Sequence, residues 1–161
     1  MRGTHEGFTY MALLFVVAIM GVGLAAKGVE WHTATQREKE ADLLFIGDQF
    51  RTAIALYYYR TPGGAHEYPI SLDELLHDQR LAGVQRYLRR IYRDPITGRA
   101  EWDLVRTPTG RIMGVRSFSR EPPLKTGGFP TRHLGLEGKR TYAEWEFVFM
   151  PSPVPHPSFQ N

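Results

Sequence analysis

The chain has 161 residues, a formal net charge of +3 and no cysteine. Without cysteine, a disulfide framework and a cysteine-based metal site are both excluded. The basic balance is small and its signs are interleaved, as from Arg37 to Glu40, which is typical of an ordinary solvated surface. Once a membrane segment and a stalk are set aside, roughly one hundred residues remain, enough for one globular domain.

An uncharged run opens the chain, from Phe8 to Ala26, and Lys27 closes it. As a helix rising about 1.5 Å per residue it would span roughly 28 Å, close to the hydrocarbon thickness of a bilayer. The run therefore predicts a transmembrane helix over 8–26, after a polar leader over 1–7. Helical sequence continues directly behind it and predicts a stalk over 27–60.

The junction between leader and run carries a family resemblance. Gly7 ends the leader, and Phe8, Thr9 and apolar sequence up to Gly21 follow. This arrangement resembles the N-terminus of type IV pilins and of type II secretion system pseudopilins. The resemblance implies cleavage between Gly7 and Phe8 by a prepilin peptidase, and N-methylation of Phe8. It also implies an assembly helix that includes Ala12, Leu13, Leu14, Phe15, Val16, Val17, Ile19 and Gly21.

Ala12 departs from the family pattern, which usually has Glu at the fifth mature position. In the family, a lone carboxylate in the apolar filament core is tolerated because a neighbour's methylated N-terminal amine neutralises it. Ala12 offers no such partner, although Phe8 still supplies an amine. The resemblance thus implies a minor subunit of a mixed filament. The alternative, that helix packing suffices and Ala12 is neutral, stays open.

Two other interpretations of the apolar run stay open beside the pilin-like one. Arg2 and the small residues around Gly23 to Ala25 fit a cleavable secretory signal, but the run exceeds the usual apolar region of about 7–15 residues. A plain single-span anchor is the other alternative interpretation of the run. The anchor interpretation would make the protein a membrane-anchored periplasmic enzyme or binding protein unrelated to filaments.

Apolar residues recur at helical spacing in the second part of the stalk, and Pro62 with its following glycines ends the helix. A stripe with this period predicts the face that lies under a sheet as the spine of the core. The stripe comprises Leu43, Ile46, Phe50, Ala53, Ile54 and Tyr57.

The globular part, over 61–150, is predicted to contain two short helices and a small antiparallel sheet. Ser71 and Glu74 fit a capping box that opens the first helix. The second is predicted over 84–91, with a basic outer face that fits either solvent or an acidic or phosphate-bearing neighbour. This basic face comprises Arg86, Arg89, Arg90 and Arg93.

A turn over 94–98, with Pro95 and Gly98, precedes the predicted sheet. Strands are predicted over 101–106, 112–118 and 142–149. Alternation in the last strand assigns Ala143, Trp145, Phe147 and Phe149 to the core face. The Asp-Pro turn followed by Trp102 resembles the region before the sheet of major-pseudopilin-like proteins. A Pro-rich tail over 151–161 is predicted to be extended or disordered.

The sequence contains no pattern that points to catalysis or to a cofactor. The six histidines lack metal-ligand spacing, and there is no phosphate-binding loop or nucleophile elbow. Major pseudopilins often bind calcium before their last strand, but here the matching loop over 117–125 carries a single carboxylate, Glu121. Calcium prefers six to eight oxygen ligands with several carboxylates, so we expect no metal, no cofactor and no enzymatic activity.

These expectations combine into an α+β, pilin-like protein with a long N-terminal membrane and stalk helix packed on a small antiparallel sheet. The resemblance implies a structural subunit of a type II secretion pseudopilus that supports protein export. The expected location is the bacterial inner membrane, single-pass, with the globular part in the periplasm. Expected partners are the inner membrane, a prepilin peptidase and other pilin-like subunits, and no nucleic acid is expected. An accessory subunit of a type IV pilus or DNA-uptake filament is the nearest alternative.

Overall fold

The computed structural model describes residues 6–81, 83 and 85–151, except for the side chains of residues 6–9 and 20–32. The chain forms two compact units, Met1–Glu38 and Lys39–Asn161, here called the N-terminal and C-terminal units. Its regular elements are α1 (Glu6–Tyr59), β1 (Asp103–Arg106), β2 (Ile112–Arg116) and β3 (Phe147–Val148), with short 3-10 helices between them. This is an α+β arrangement.

The predicted membrane helix is contradicted. Within the part of the chain that the structure describes, no helix is sufficiently long and apolar to span a bilayer. The transmembrane assignment over 8–26, the membrane part of the fold class and the inner-membrane, single-pass localisation are corrected accordingly.

The predicted stripe along the second part of α1 is confirmed as the spine of a core. Ile46 is half-buried, and the remaining five members are buried. Complete burial of a large apolar side chain stabilises a fold by about 1.5–3 kcal/mol, so this stripe fixes α1 within the C-terminal unit. The buried members are Leu43, Phe50, Ala53, Ile54 and Tyr57. The helix ends at Tyr59, and Arg60 and Thr61 separate it from the predicted Pro-Gly-Gly break.

Gly47 brings α1 and β3 together. A Cβ atom at this position would lie 2.2 Å from Cδ1 of Phe147, a distance that no side chain tolerates. Glycine alone therefore lets the Phe147 ring lie against the helix backbone. The contact accounts for a glycine in the helix interior, where it costs about 1 kcal/mol relative to alanine.

The sheet has the order β1-β2-β3 and is antiparallel throughout. Leu104 lies opposite Val115, and Val115 lies opposite Phe147. The first two strands are confirmed, with shorter bounds than predicted. The third prediction is wrong over residues 142–146 because the chain first forms a 3-10 helix, Tyr142–Glu144.

That 3-10 helix also changes which residues are buried. Tyr142 is buried together with Trp145 and Phe147, although strict alternation would put Tyr142 on the opposite face. The backbone N–H of Trp145 donates to the carbonyl of Tyr142, so the period-two pattern starts only after this turn. Phe149 is half-buried against the core, as its place in the alternation predicts.

The predicted helix over 84–91 is wrong. The described residues of this range form bends, and Gln85 makes an isolated antiparallel bridge to Asp78. The backbone N–H of Leu88 donates to Leu75, so the apolar side chains reach the core without helical hydrogen bonds. The first short helix does exist, as the 3-10 helix Leu72–Leu75.

Ser71 precedes that 3-10 helix but its hydroxyl makes no capping hydrogen bond. Glu74 instead accepts hydrogen bonds from the backbone of Ile70 and from the Tyr57 hydroxyl. The turn over 94–98 is confirmed: the N–H of Gly98 donates to the carbonyl of Asp94, and Gly98 has φ +71°. The predicted Pro-rich tail lies, from residue 152 onward, outside the described residues.

Candidate assembly surface and polar clusters

The assembly helix is the first candidate site. Every residue from 10 to 19 is exposed on α1, and eight of these ten are large apolar or aromatic side chains. Their exposed fractions range from 49% for Val16 to 69% for Phe15 and Ile19. Contiguous exposed apolar surface of this kind marks a site of interaction with another apolar surface.

This segment is apolar on every side of the helix. Ten consecutive residues at 3.6 per turn pass almost three times around the axis, and none of them is charged. A helix that packs on one partner needs only a stripe, whereas a helix apolar all round is surrounded by its partners. The segment is therefore suited to enclosure by several apolar neighbours.

The residues implied by the pilin resemblance are placed on one helix. The side chains with exposed surface are Ala12, Leu13, Leu14, Phe15, Val16, Val17 and Ile19. Gly7, Phe8 and Gly21 also belong to α1, but their side-chain surroundings lie outside the described part of the chain. Cleavage between Gly7 and Phe8 and methylation of Phe8 stay predictions.

A second candidate site lies at the end of α1, around the buried carboxylate of Asp78. Arg80 binds it with two hydrogen bonds, from Nε at 2.9 Å and from Nη2 at 2.8 Å. The Tyr87 hydroxyl donates to the same carboxylate at 2.9 Å. The Arg80 guanidinium, donating these bonds, lowers the pKa of Asp78 to about 2. This carboxylate is consequently held as an anion.

Arg80 also connects this carboxylate to α1. Its guanidinium carbon lies 3.4 Å from the centroid of the Tyr57 ring, and Nη1 donates to the Thr61 hydroxyl at 2.9 Å. Burial, followed by the hydrogen bond to Glu74, raises the pKa of Tyr57. A cavity of about 530 Å³ adjoins these side chains.

Asp78 and Arg80 are paired with each other within the chain. An anion held by a bidentate guanidinium and a tyrosine with a raised pKa are poor general acids and bases. The arrangement instead fastens the end of α1 to residues 74–87. We interpret it as a structural clasp.

A third cluster surrounds Asp48 of α1. Its two carboxylate oxygens contact Arg51 Nη2 at 2.7 Å and Arg132 Nε at 2.9 Å. Nε2 of the buried His133 lies 3.1 Å from the oxygen that Arg132 contacts. The desolvation of His133 lowers the pKa of the imidazole more than the Asp48 charge raises it. Because Arg51 and Arg132 both contact Asp48, two guanidinium groups share one carboxylate.

Glu40, at the start of the C-terminal unit, is a buried acceptor. Its Oε1 accepts hydrogen bonds from the backbone N–H of Leu124 at 2.6 Å and from the Tyr142 hydroxyl at 2.9 Å. A third donor, the N–H of Lys125, lies at 3.3 Å. These bonds tie the long connection between β2 and β3 to α1.

The loop that begins at Ser117, which the sequence analysis considered for calcium, is organised around the carboxylate of Asp94. Asp94 is buried, and its Oδ2 accepts hydrogen bonds from Ser117 at 2.6 Å and Thr97 at 2.9 Å. Among the residues that the structure describes, no three His, Asp or Glu side chains form a group able to hold a metal ion. The expected absence of metal stays a prediction.

The helix on which four arginines were predicted to form a basic face is absent from the described residues. Arg90 lies over the Tyr92 ring at 5.3 Å, and Arg93 donates to the Gly98 carbonyl at 3.4 Å. Arg86 and Arg89 are exposed. Because the backbone is irregular here, sequence spacing does not place the four on one side.

The clusters around Asp78 and Asp48 were both missed by the sequence analysis. Arg80 stands two residues from Asp78, a pattern too common to predict an ion pair. His133 stands 85 residues from Asp48, and no local pattern connects them.

The amino-acid sequence matches no family model, no curated protein and no solved structure.

Proposed function

We propose that the protein is a pilin-like structural subunit of a type II secretion pseudopilus, a minor one that joins a mixed filament and supports protein export. The observation that carries the proposal is the uncharged, exposed segment of α1 over residues 10–19. An all-round apolar helix is what a filament core needs, because each helix there is enclosed by several others. The leader ending in Gly7 supports the same function.

The energetics favour several contacts over one. Eight large side chains that are about half exposed gain on the order of 10 kcal/mol in total when they are fully buried. Loss of translational and rotational freedom on association costs an estimated 4–15 kcal/mol. Contact along one side would use only part of the gain, so stable association requires neighbours around the helix.

Ala12 supports a minor position. Residues 10–19 contain no carboxylate, so this segment offers no acidic group to neutralise a neighbour's N-terminal amine. Its own amine, on Phe8 after cleavage, requires a carboxylate from a different subunit. Pairing of this kind favours a filament built from more than one protein.

Cross-linking tests the contact surface, and the chain is convenient for it because it has no cysteine. A Val17→Cys variant, produced with the prepilin peptidase and the sister subunits, should form cross-links with neighbouring subunits under mild oxidation. Thr109→Cys, exposed in the C-terminal unit, is the matched control. Cross-linking at Val17 no higher than at Thr109 would contradict the proposal.

Mass spectrometry tests processing. With the peptidase present, the mature chain should begin at methylated Phe8, and a bulky substitution of Gly7 should block cleavage. A chain that still begins at Met1 would refute the pilin-like function. Long filaments formed without sister subunits would refute the minor position.

Deletion of the gene separates the two filament systems. Loss of protein export is expected for a secretion pseudopilus. Loss of DNA uptake or of surface pili, with export intact, would assign the subunit to a type IV pilus instead.

A further inference from the structure

A groove runs along the free edge of the sheet in the C-terminal unit. Its cavity, about 530 Å³, is lined on one side by α1 at Arg51, Thr52 and Ala55. Arg132 and the three residues Val148, Phe149 and Met150 complete the lining. We propose that this groove binds an extended, carboxylate-bearing segment of another protein chain, which adds to β3 as a further strand.

The backbone of β3 is the first reason. Among the described residues, β3 is an edge strand, since β2 is its neighbour and β1 lies beyond β2. The N–H of Phe149 donates to the Met113 carbonyl at 2.9 Å, and Val148 lies opposite Gly114. In an antiparallel pair, hydrogen-bonded and non-bonded positions alternate, so the N–H and C=O of Val148 point away from β2.

These two groups have no hydrogen-bond partner among the residues that the structure describes. An edge strand with unpaired N–H and C=O groups is a template for another extended segment. Such strand addition derives its affinity from main-chain hydrogen bonds and its specificity from pockets for alternate side chains. β3 supplies the unpaired main-chain groups of Val148, and Val148, Phe149 and Met150 line the groove beside them.

The charge of the groove is the second reason, and it selects the occupant. Arg51 and Arg132 share the single carboxylate of Asp48, so this corner carries a surplus positive charge. The Arg132 side chain is 63% exposed, and among the described residues only its Nε has an acceptor. Its two terminal nitrogens remain available to a carboxylate, which guanidinium groups bind in a bidentate manner.

The apolar lining specifies the rest of the segment. Met150 is exposed and Phe149 is half-buried, beside Ala55 of α1. A segment in which one acidic side chain alternates with apolar ones would meet both parts of the groove. The chain's own residues 151–161 fit poorly, since they contain four prolines and no Asp or Glu.

A peptide probe tests the inference on the full chain. The probe is a fluorescein-labelled, blocked pentapeptide, Thr-Val-Glu-Val-Thr, and its binding is followed by fluorescence anisotropy. Replacing its Glu by Gln should weaken binding about five- to tenfold, because the charge-assisted hydrogen bonds are lost. A probe N-methylated on alternate amides should not bind measurably, because it cannot form the ladder.

Two protein variants locate the site. Arg132→Gln should weaken the acidic probe about as much as removal of the probe's own charge, whereas Arg89→Gln, an exposed arginine elsewhere, should leave binding unchanged. Val148→Pro removes the outward N–H without removing a hydrogen bond to β2, and it should abolish binding. Thermal melting checks that each variant is folded. If Val148→Pro unfolds the chain, hydrogen exchange of wild-type residues 147–150, slowed by the probe, replaces it.

Four outcomes would overturn the inference. Equal binding of the Glu and Gln probes would remove the charge requirement, and binding of the N-methylated probe would exclude strand addition. Displacement of the probe by an oligothymidylate that binds more tightly would point to nucleic acid as the occupant. Tenfold tighter probe binding after removal of residues 152–161 would show that the chain's own segment occupies the groove.

Discussion

One helix, α1, presents two apolar segments with opposite surroundings. Over residues 43–57 its apolar side chains form a stripe that packs in a core with the sheet. Over residues 10–19 its side chains are apolar all round and exposed. A stripe is satisfied by one neighbouring surface within the chain, whereas an all-round apolar segment needs neighbours on every side. On the proposed function, this difference in pattern would separate a segment used in folding from a segment used in assembly.

Two matched alanine substitutions test this difference most strongly. Phe50→Ala should reduce the free energy of unfolding by about 3–5 kcal/mol, because Phe50 is completely buried beside Trp102. Phe15→Ala should change it by no more than about 0.5 kcal/mol, because Phe15 is exposed. Urea unfolding followed by tryptophan fluorescence measures both. Similar losses in the two variants would mean that residues 10–19 belong to the folding core.

Acid should lower the stability of the fold by protonating Asp78, whose ion pair with Arg80 fastens the end of α1. The folded-state pKa of Asp78 is lowered from 3.8 to about 2, so its stabilisation, about 2 kcal/mol, is fully present above about pH 4 and is lost as the pH falls through 2. Asp78→Asn should reduce stability at pH 5 and flatten this part of the pH profile. Asp73→Asn is the control, because Asp73 is an exposed carboxylate in the 3-10 helix Leu72–Leu75. An unchanged slope between pH 4 and 2 in Asp78→Asn would argue against the clasp.

Gly47→Ala tests the close packing of α1 on β3. The sign of the change in the free energy of unfolding decides between two opposing effects. Helix propensity alone would stabilise the variant by about 1 kcal/mol. Overlap with the Phe147 ring should cost about 1–3 kcal/mol, so we expect net destabilisation. Adding Phe147→Leu should relieve part of this loss in a double-mutant cycle. Stabilisation by Gly47→Ala alone would show that the ring moves aside freely.

The smallest effect concerns His133, which packs behind Asp48. Burial lowers the pKa of the His133 imidazole, so the unfolded chain takes up the proton first. Stability is therefore unaffected above about pH 7 and declines as the pH falls below the unfolded-state value of about 6.5. In His133→Asn this decline should disappear from melting curves recorded between pH 7.5 and 5. An identical decline in that variant would assign it to another group.

Much of the C-terminal unit could be predicted from the sequence because its signals are local. The stripe from Leu43 to Tyr57, the turn at Asp94 and the first two strands follow from periodicity and turn chemistry. The helix over 84–91 could not be judged in this way, since its apolar spacing is satisfied by a bent chain bonded to Leu75. The third strand is shorter than predicted because the chain forms the 3-10 helix Tyr142–Glu144 before it, and the alternating pattern gives no sign of that helix.

Of the candidate sites, one is visible in the local sequence and two are formed only by folding. The apolar composition of residues 10–19 predicts an interaction surface directly, but exposure and the absence of a membrane-spanning helix among the described residues came only from the structure. The Asp78 and Asp48 clusters depend on side chains brought together by folding. Local patterns do not encode such pairs.

The hydrogen bonds of Glu40 have a consequence for the order in which the chain folds. They join α1 to backbone and side-chain groups 84 to 102 residues away in the sequence. Helical turns form within about a microsecond, whereas contacts of such separation require closure of long loops and slow the overall reaction. The buried carboxylate therefore acquires its donors late, after the connection between β2 and β3 has been brought back to the helix.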